Sequence, residues 1–230
     1  MKFMNHCIPT QSIRGRVVIA IDGTASSGKG SLARSIADTL NFVHLDTGLL
    51  YRIFAAKFAE RYMPTLYNTG KLDIKPEDKD EILNHLQGDA SSYSTEAIGN
   101  AASIIARNVA VREALLVIQQ EFVRTSECGV VLDGRDTATV VCPDADIKIF
   151  VTAHASVRAL RRYKQLRSTC GRRRTMYRKV LSSILERDIR DSCRKVAPLR
   201  RSEGSLYLNN SHLNREESLQ ELMKKIKTFL

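Results

Sequence analysis

The chain has 230 residues, of which 43% are hydrophobic, enough to bury the core of one large domain. Its longest apolar runs reach about five residues, far below the ~20 that a membrane-spanning helix needs, and residues 1–14 lack the apolar stretch of a signal peptide. The net charge of +11 at pH 7 indicates an anionic partner, either nucleic acid or a highly charged small phosphate.

Residues 1–14 are interpreted as an N-terminal extension, and residues 15–230 as a single domain. β-Branched apolar runs predict strands at 17–21, 43–45, 130–132, 147–151 and, more weakly, 206–208. Helical patterns fall between them, at 31–40, 49–62, 95–125, 155–168, 175–193 and 215–229. Strands that alternate with helices indicate an α/β protein with a parallel sheet, which binds ligands at the carboxyl ends of its strands.

The segment Gly23 to Ser31, with the sequence GTASSGKGS, lies between the first predicted strand and the first predicted helix. A glycine loop at a helix start binds phosphate oxygens through its backbone N–H groups, and Lys29 would reach the terminal phosphates. In the general pattern a hydroxyl residue follows the lysine directly. Here Gly30 takes that place and the hydroxyl comes one position later, at Ser31. The segment therefore predicts a phosphate-binding loop of a shifted type.

Two further motifs follow the second and third strands. Thr47 can cap a helix, and Arg52 lies one turn into that helix. Asp133 ends the third strand, where P-loop enzymes often hold a metal-associated carboxylate, and Arg135 and Asp136 come directly after it. An ordinary helix cap and a polar turn are the alternatives for these two motifs.

Residues 63–94 interrupt the alternation of strands and helices with a charged helical pattern over 75–86 and a polar run over 88–92. We interpret them as part of an insert over about 63–125 that binds the molecule accepting a phosphoryl group, here called the acceptor. The core would then comprise 15–62, 126–165 and 180–230. A small lid is predicted at about 166–179, where the arginine run 172–174 could instead be a solvated loop.

Arginines concentrate in the last third of the chain. Between 158 and 201 lie sixteen Arg or Lys residues, and thirteen of them are Arg, which favours bidentate phosphate binding. The same segment has only two aromatic residues, fewer than a platform for stacking single-stranded nucleic acid needs. Two helical faces carry the arginines that flank the predicted lid: Arg158, Arg161 and Arg162 on one, and Arg187, Arg190 and Arg194 with Asp191 on the other.

Together these segments resemble the bacterial-type cytidylate kinases over roughly residues 15–226. The resemblance is carried by GTASSGKGS, LDTGLLYR, NAASIIARNVAVREALL, LDGRDTATVVCPDADIKIFV and ERDIRDSCRKVAPL. It implies a P-loop kinase fold with a five-stranded parallel sheet flanked by helices, an acceptor-binding insert and a lid. It also implies transfer of a phosphoryl group from ATP to CMP or dCMP with Mg²⁺. The sequence departs from the family in a shorter insert, which commonly carries a small β-sheet, and in Ala138, where a glycine is usual.

The resemblance also implies roles for individual residues. Lys29 would bridge donor and acceptor, and Asp133 would meet the metal directly or through water. The ATP phosphates would be bound by Gly23, Thr24, Ala25, Ser26, Ser27, Gly28, Lys29, Gly30 and Ser31. The acceptor would be bound by Thr47 at its sugar, Arg52 and Arg135 at its phosphate, Ser103, Arg112 and Asp136 at its base, and Arg187, Asp191 and Arg194 around its sugar and phosphate. The lid arginines Arg158, Arg161 and Arg162 would join Lys29 and Arg187 in catalysis.

Two other functions remain open on the residues alone. A kinase acting on a hydroxyl would need a carboxylate base, for which Asp46 is placed, and a P-loop protein without kinase activity could bind nucleic acid.

The five cysteines include no C-x-x-C pair, so neither a disulfide framework nor a zinc site is indicated, and the histidines need no catalytic role. We expect a cytoplasmic monomer that uses ATP and CMP or dCMP and needs neither a membrane nor nucleic acid.

Overall fold

A computed structural model describes residues 16–169 and 176–230. Within them, five strands form one all-parallel sheet in the order β2-β3-β1-β4-β5. The strands are β1 Val18–Gly23, β2 Val43–Asp46, β3 Val130–Gly134, β4 Ile147–Thr152 and β5 Leu206–Asn209. The predicted α/β fold and all five predicted strands are confirmed. Each strand runs one or two residues further at its carboxyl end than the apolar pattern predicts.

Nine helices surround the sheet in the described part of the chain. They are α1 Lys29–Leu40, α2 Thr47–Ile53, α3 Ala59–Thr69, α4 Pro76–Gln87, α5 Glu96–Ile105, α6 Val109–Thr125, α7 Ala155–Thr169, α8 Tyr177–Ser192 and α9 Arg215–Ile226. A π-helical segment, Phe54–Phe58, joins α2 to α3, a second, Thr137–Val141, follows β3, and a 3₁₀ turn, Ala90–Tyr93, precedes α5.

The prediction of one helix over 95–125 is wrong, because this segment forms two helices. The α5 helix ends at Ile105, and Asn108 caps the start of α6 by accepting a hydrogen bond from the Val111 N–H at 3.2 Å. The apolar periodicity continues across the break and hides it. Residues 63–125, all of them described, contain helices and turns but no strand.

Two hydrophobic clusters are the largest of the five in the described residues. The sheet cluster packs α1 and α9 against the sheet through residues such as Ile36 and Leu222. The insert cluster joins α2 to α3, α4 and α6 around Phe54 and Ile82, both fully buried. The first cluster supports the phosphate-loop helix, and the second supports the helix that carries Arg52.

Other expectations can be compared with the described residues. Over 16–169 and 176–230, no helix has both the length and the apolar character needed to cross a membrane. Among the described cysteines, Cys142 and Cys193 are free. The N-terminal extension over 1–14 and the arginine run 172–174 lie outside the described residues.

Candidate active site

The loop between β1 and α1 has the backbone geometry of a tight phosphate loop. A β-carbon at Gly23 would lie 2.0 Å from the backbone oxygen of Val151, so only glycine allows β1 to approach β4 this closely. Ser26 and Gly28 both have positive φ values, 57° and 84°. Helix α1 begins directly after these two residues, at Lys29.

Three side chains from distant parts of the sequence fix this loop in place. Asp188 Oδ1 accepts a hydrogen bond from the Ala25 N–H at 2.9 Å, and Arg158 Nη1 donates to the Ala25 carbonyl at 2.8 Å. Arg158 and Asp188 also form an ion pair of 2.6 Å. Asn210 donates from Nδ2 to the Ser27 carbonyl at 2.9 Å. Asp188 and Asn210 were missed by sequence reasoning, because their separation from the loop exceeds 160 residues in both cases.

A cavity of about 360 Å³ opens beside the loop, at the carboxyl ends of the strands. Six cationic side chains line it and only three anionic ones. The cations are Lys29, Arg52, Arg135, Arg161, Arg162 and Arg187, and the anions are Asp46, Glu96 and Asp133. The described lining therefore carries an excess of positive charge, as a site for polyanions requires.

Two buried cationic groups of the cavity have lowered pKa values, in part because they lie close to other cations. Burial, with Arg135 next in effect, lowers the pKa of Lys29 to about 8, although Asp133 opposes the shift. Burial and then Arg135 also lower the pKa of Arg187 to about 9. The Nε atom of Arg187 is buried without a hydrogen-bond partner among the described residues, and it lies 3.9 Å from Asp191 Oδ2. An anion in the cavity would relieve this repulsion.

Two carboxylates lie on the same side of the cavity as Lys29. Asp46, and not Thr47 as predicted, caps α2 by accepting from the Leu49 N–H at 2.9 Å. Burial, followed by the charge of Asp133, raises the pKa of Asp46. Asp133 Oδ1 is 2.8 Å from His44 Nε2, and a β-carbon at Gly30 would lie 3.4 Å from Asp133 Oδ2. His44 thus contacts a cavity residue without lining the cavity itself.

Four of the cavity arginines donate to backbone oxygens, and Arg135 does so to its neighbour Gly134 at 3.1 Å. Arg52 donates to the Tyr93 carbonyl at 2.8 Å, and burial lowers the pKa of Arg52. Arg162 donates to the next carbonyl, that of Ser94, at 3.3 Å. Arg161 donates to the carbonyl of Asn210 at 2.7 Å. Arg52 and Arg162 therefore meet at one turn of the insert.

A buried polar cluster lies beside the cavity and joins the predicted acceptor residues. Asp136 accepts from Arg112, and Arg194 Nη2 lies 3.4 Å from Asp136 Oδ1. Asp191 Oδ2 accepts from Arg135 Nε at 2.8 Å, and Asp191 Oδ1 accepts from the Ser103 hydroxyl at 3.4 Å. We call this the acceptor cluster; its members are Ser103, Arg112, Arg135, Asp136, Asp191 and Arg194.

The structure thus groups most of the predicted site residues in two adjoining places. The cavity lining includes Ala25, Ser26, Gly28, Lys29, Gly30, Arg52, Asp133, Arg135, Arg161, Arg162 and Arg187. Thr47 lies at the edge of the acceptor side and donates to the Asp133 carbonyl at 2.8 Å. The lining does not include Gly23, Thr24, Ser27, Ser31 or Arg158. The roles of all these residues stay predictions.

Sequence comparisons with known proteins show one family. The sequence profile of the cytidylate kinase family matches residues 19–228. A cytidylate kinase from Azorhizobium caulinodans is 44% identical over 204 residues, which cover 88% of this chain and 94% of that protein. One from Bartonella bacilliformis is 41% identical over 207 residues, covering 87% and 90%. An uncharacterized protein from Eubacterium ventriosum has a crystal structure similar in fold alone, with a TM-score of 0.50, 11% identity and coverage of 93% and 99%.

Proposed function

The chain belongs to the cytidylate kinase family, and on that premise we propose that it transfers the γ-phosphoryl group of ATP to CMP or dCMP, forming CDP or dCDP. The observation that carries this proposal is the charge of the cavity beside the phosphate loop. Six cationic side chains and only three anionic ones line it, and the buried Nε atom of Arg187 lacks a hydrogen-bond partner among the described residues. Two phosphate chains would supply the missing negative charge.

On the donor side, the loop from Gly23 to Ser31 would bind the ATP phosphates, with Lys29 between donor and acceptor. Arg161 and Arg162 face the cavity and would neutralise charge on the transferring group. Arg158 is bonded to Ala25 and Asp188 behind the loop, so its proposed contribution is to hold the loop in shape.

The residues beside Lys29 suit Mg²⁺, which prefers oxygen ligands and is usually held by one or two carboxylates together with substrate phosphates. Asp46 and Asp133 are such a pair, and their mutual repulsion contributes to the raised pKa of Asp46. No group of three or more possible metal ligands is found within 16–169 and 176–230. Asp133 would hold the ion directly or through water. When bound with ATP, Mg²⁺ would neutralise charge on the phosphates.

On the acceptor side, Arg52, Arg135 and Arg187 would bind the phosphate of the monophosphate, because all three line the cavity near Lys29. Thr47 would contact its sugar. The base would lie against the acceptor cluster, where Asp136 accepts from the cytosine amino group and Ser103 and Arg112 face its acceptor atoms. Asp191 and Arg194 would complete the contacts around the sugar and phosphate.

The proposed reaction needs no strong general base, because the attacking phosphate oxygen is already an anion. The protein has to cancel the repulsion between two phosphate chains and place them in line. Lys29 and the cavity arginines provide fixed positive charge for that purpose. Asp46, the candidate base for a hydroxyl kinase, is already engaged as the cap of α2.

The test is an ADP-release assay with ATP and Mg²⁺, using CMP, dCMP, UMP, AMP and shikimate as separate acceptors. We expect turnover with CMP and dCMP and at least about a hundredfold lower kcat/KM with the others. A Lys29→Met variant is the control for contaminating kinases. Turnover of shikimate alone would favour the hydroxyl kinase, and salt-sensitive binding of polynucleotide without turnover would favour the nucleic-acid protein.

We also propose that the enzyme acts in the cytoplasm as a monomer and needs neither a membrane nor nucleic acid. The described helices, none of which suits a membrane span, support the part of this proposal that concerns the membrane. Light scattering on the purified protein, with and without ATP and CMP, tests the monomer directly.

A further inference from the structure

Asp22 is a buried carboxylate to which the proposed mechanism assigns no role. It is the penultimate residue of β1 and is 2% exposed. Its Oδ1 atom accepts from both the N–H and the hydroxyl of Thr137, and its Oδ2 atom accepts from the N–H of Ala138, all at 2.8 Å. Strand β1 thus holds the start of the π-helical segment Thr137–Val141, more than 110 residues away in the sequence.

These two N–H groups are the ones that a helical segment leaves unsatisfied at its start. An aspartate at the capping position, here Asp136, ordinarily accepts with its own side chain from the N–H of the second or third residue of the segment, here Ala138 or Thr139. Asp136 makes no side-chain capping bond. Its carboxylate pairs with Arg112 and Arg194 instead. Asp22 therefore performs the capping that would otherwise occupy Asp136.

We propose that Asp22 is a positioning residue for recognition of the acceptor base, an inference that rests on the proposed function of Asp136. By capping the π-helical segment from β1, Asp22 leaves the Asp136 carboxylate to pair with Arg112 and Arg194 within the acceptor cluster. Asp22 directly precedes Gly23, but its three side-chain hydrogen bonds join β1 to the π-helical segment rather than to the phosphate loop.

The ionisation of Asp22 agrees with this role. Burial raises the pKa of Asp22 to about 6, opposed by the hydrogen bonds from Ala138 and Thr137. At neutral pH the group is a carboxylate that can accept from all three donors. The asparagine side chain has the same shape but would bring an N–H group against one of the N–H donors of the segment.

The experiment compares three variants by acceptor kinetics and by calorimetric binding of CMP and of ATP. Thr137→Val removes one donor to Asp22 at constant volume. Thr139→Val is the matched control, because the Thr139 hydroxyl lies in the same segment, is buried and has no hydrogen-bond partner among the described residues. Asp22→Asn changes the acceptor of all three hydrogen bonds from Thr137 and Ala138.

We expect Thr137→Val to weaken CMP binding by about fivefold and to lower the CMP-to-UMP ratio of kcat/KM, and Asp22→Asn to do so by about tenfold or more. ATP binding should change less than about twofold in both, and Thr139→Val should match the wild type. If Asp22→Asn does not fold, the pair of threonine variants still decides.

Two failures are distinguishable. If the wild-type protein does not phosphorylate CMP, the proposed function is wrong. If the wild type does so but Thr137→Val and Thr139→Val are alike, or if CMP and ATP binding fall together, the positioning role of Asp22 is wrong.

Discussion

At the level of single residues, the cavity holds positive charge that the protein itself does not neutralise. Lys29 is 9% exposed and has Arg135 and Arg187 as cationic neighbours, so its ammonium group is easier to deprotonate than an ordinary lysine. Phosphate oxygens in the cavity would reverse that effect, because they favour the charged form. Substrate binding and proton binding are therefore linked at this residue.

This linkage predicts a pH dependence for ATP binding. The pKa of Lys29 is lowered to about 8, so the free protein loses the charge as pH rises through that value. ATP affinity, measured by calorimetry between pH 7 and pH 9, should fall above pH 8 by up to about tenfold per pH unit, with proton uptake on binding. Lys29→Met should bind weakly without this pH dependence. Equal pH profiles for the two proteins would contradict the prediction.

A second prediction concerns discrimination between cytosine and uracil. Uracil has a carbonyl where cytosine has its amino group, so the Asp136 carboxylate would repel it. Asp136→Ala should lower the ratio of kcat/KM for CMP over UMP by about fivefold to about 150-fold, which corresponds to about 1–3 kcal/mol. The KM for ATP serves as the internal control and should not change. An unaltered CMP-to-UMP ratio would exclude this role.

At the level of helices and strands, local patterns predict the elements but not the contacts between them. Strand β1 continues past its apolar run into Asp22 and Gly23, which pair with β3 and β4 although neither residue is part of that run. Backbone pairing does not depend on side-chain polarity, so the pattern ends each strand too early, at the residues that build the site. The motifs from Gly23 to Ser31 and around Asp133 were predictable because their chemistry is local in sequence.

The supporting residues of the site were less accessible to sequence reasoning. Asp188, Asn210 and His44 reach their partners across 163, 183 and 89 residues, and no periodicity encodes such a distance. The spacing of the arginines in α7 predicts that they share one face of the helix, but it does not predict which of them line the cavity. Arg158 lies behind the loop, whereas Arg161 and Arg162 line the cavity. Side-chain direction relative to the sheet makes that distinction.

The difference within α7 leads to a prediction about stability and rate. Arg158→Ala removes the partner of Asp188 and should lower the free energy of unfolding by about 3 kcal/mol. Arg162→Ala removes only exposed hydrogen bonds and should cost less than about 1 kcal/mol, yet lower kcat by about a hundredfold. Urea denaturation and CMP kinetics on both variants give the two quantities. Equal losses of stability would refute the distinction.

At the level of the whole molecule, the two hydrophobic clusters separate the two substrate sites. The sheet cluster includes Ile36 of α1, the helix that begins at Lys29. The insert cluster includes Ile82 of α4 and Leu50 of α2, the helix that carries Arg52. A substitution that weakens the packing of one cluster should therefore raise mainly the KM for the substrate whose binding residues that cluster supports.

This separation is testable with two matched substitutions of fully buried isoleucines. Ile82→Ala and Ile36→Ala should each destabilise the protein by about 2–5 kcal/mol. Under conditions where both variants remain folded, Ile82→Ala should raise the KM for CMP more than that for ATP, and Ile36→Ala should show the reverse. Parallel changes in both KM values would show that the clusters act as one unit.

The contact between Gly23 and the Val151 oxygen has a consequence for mutational tolerance. Even the smallest side chain at Gly23 would collide with the neighbouring backbone, which cannot swing aside as a side chain can. At Gly30 the nearest neighbour is a carboxylate tip, and the added methyl would remain in ordinary contact. In a saturation library selected for growth, position 23 should reject every codon except those for glycine, while position 30 should accept alanine.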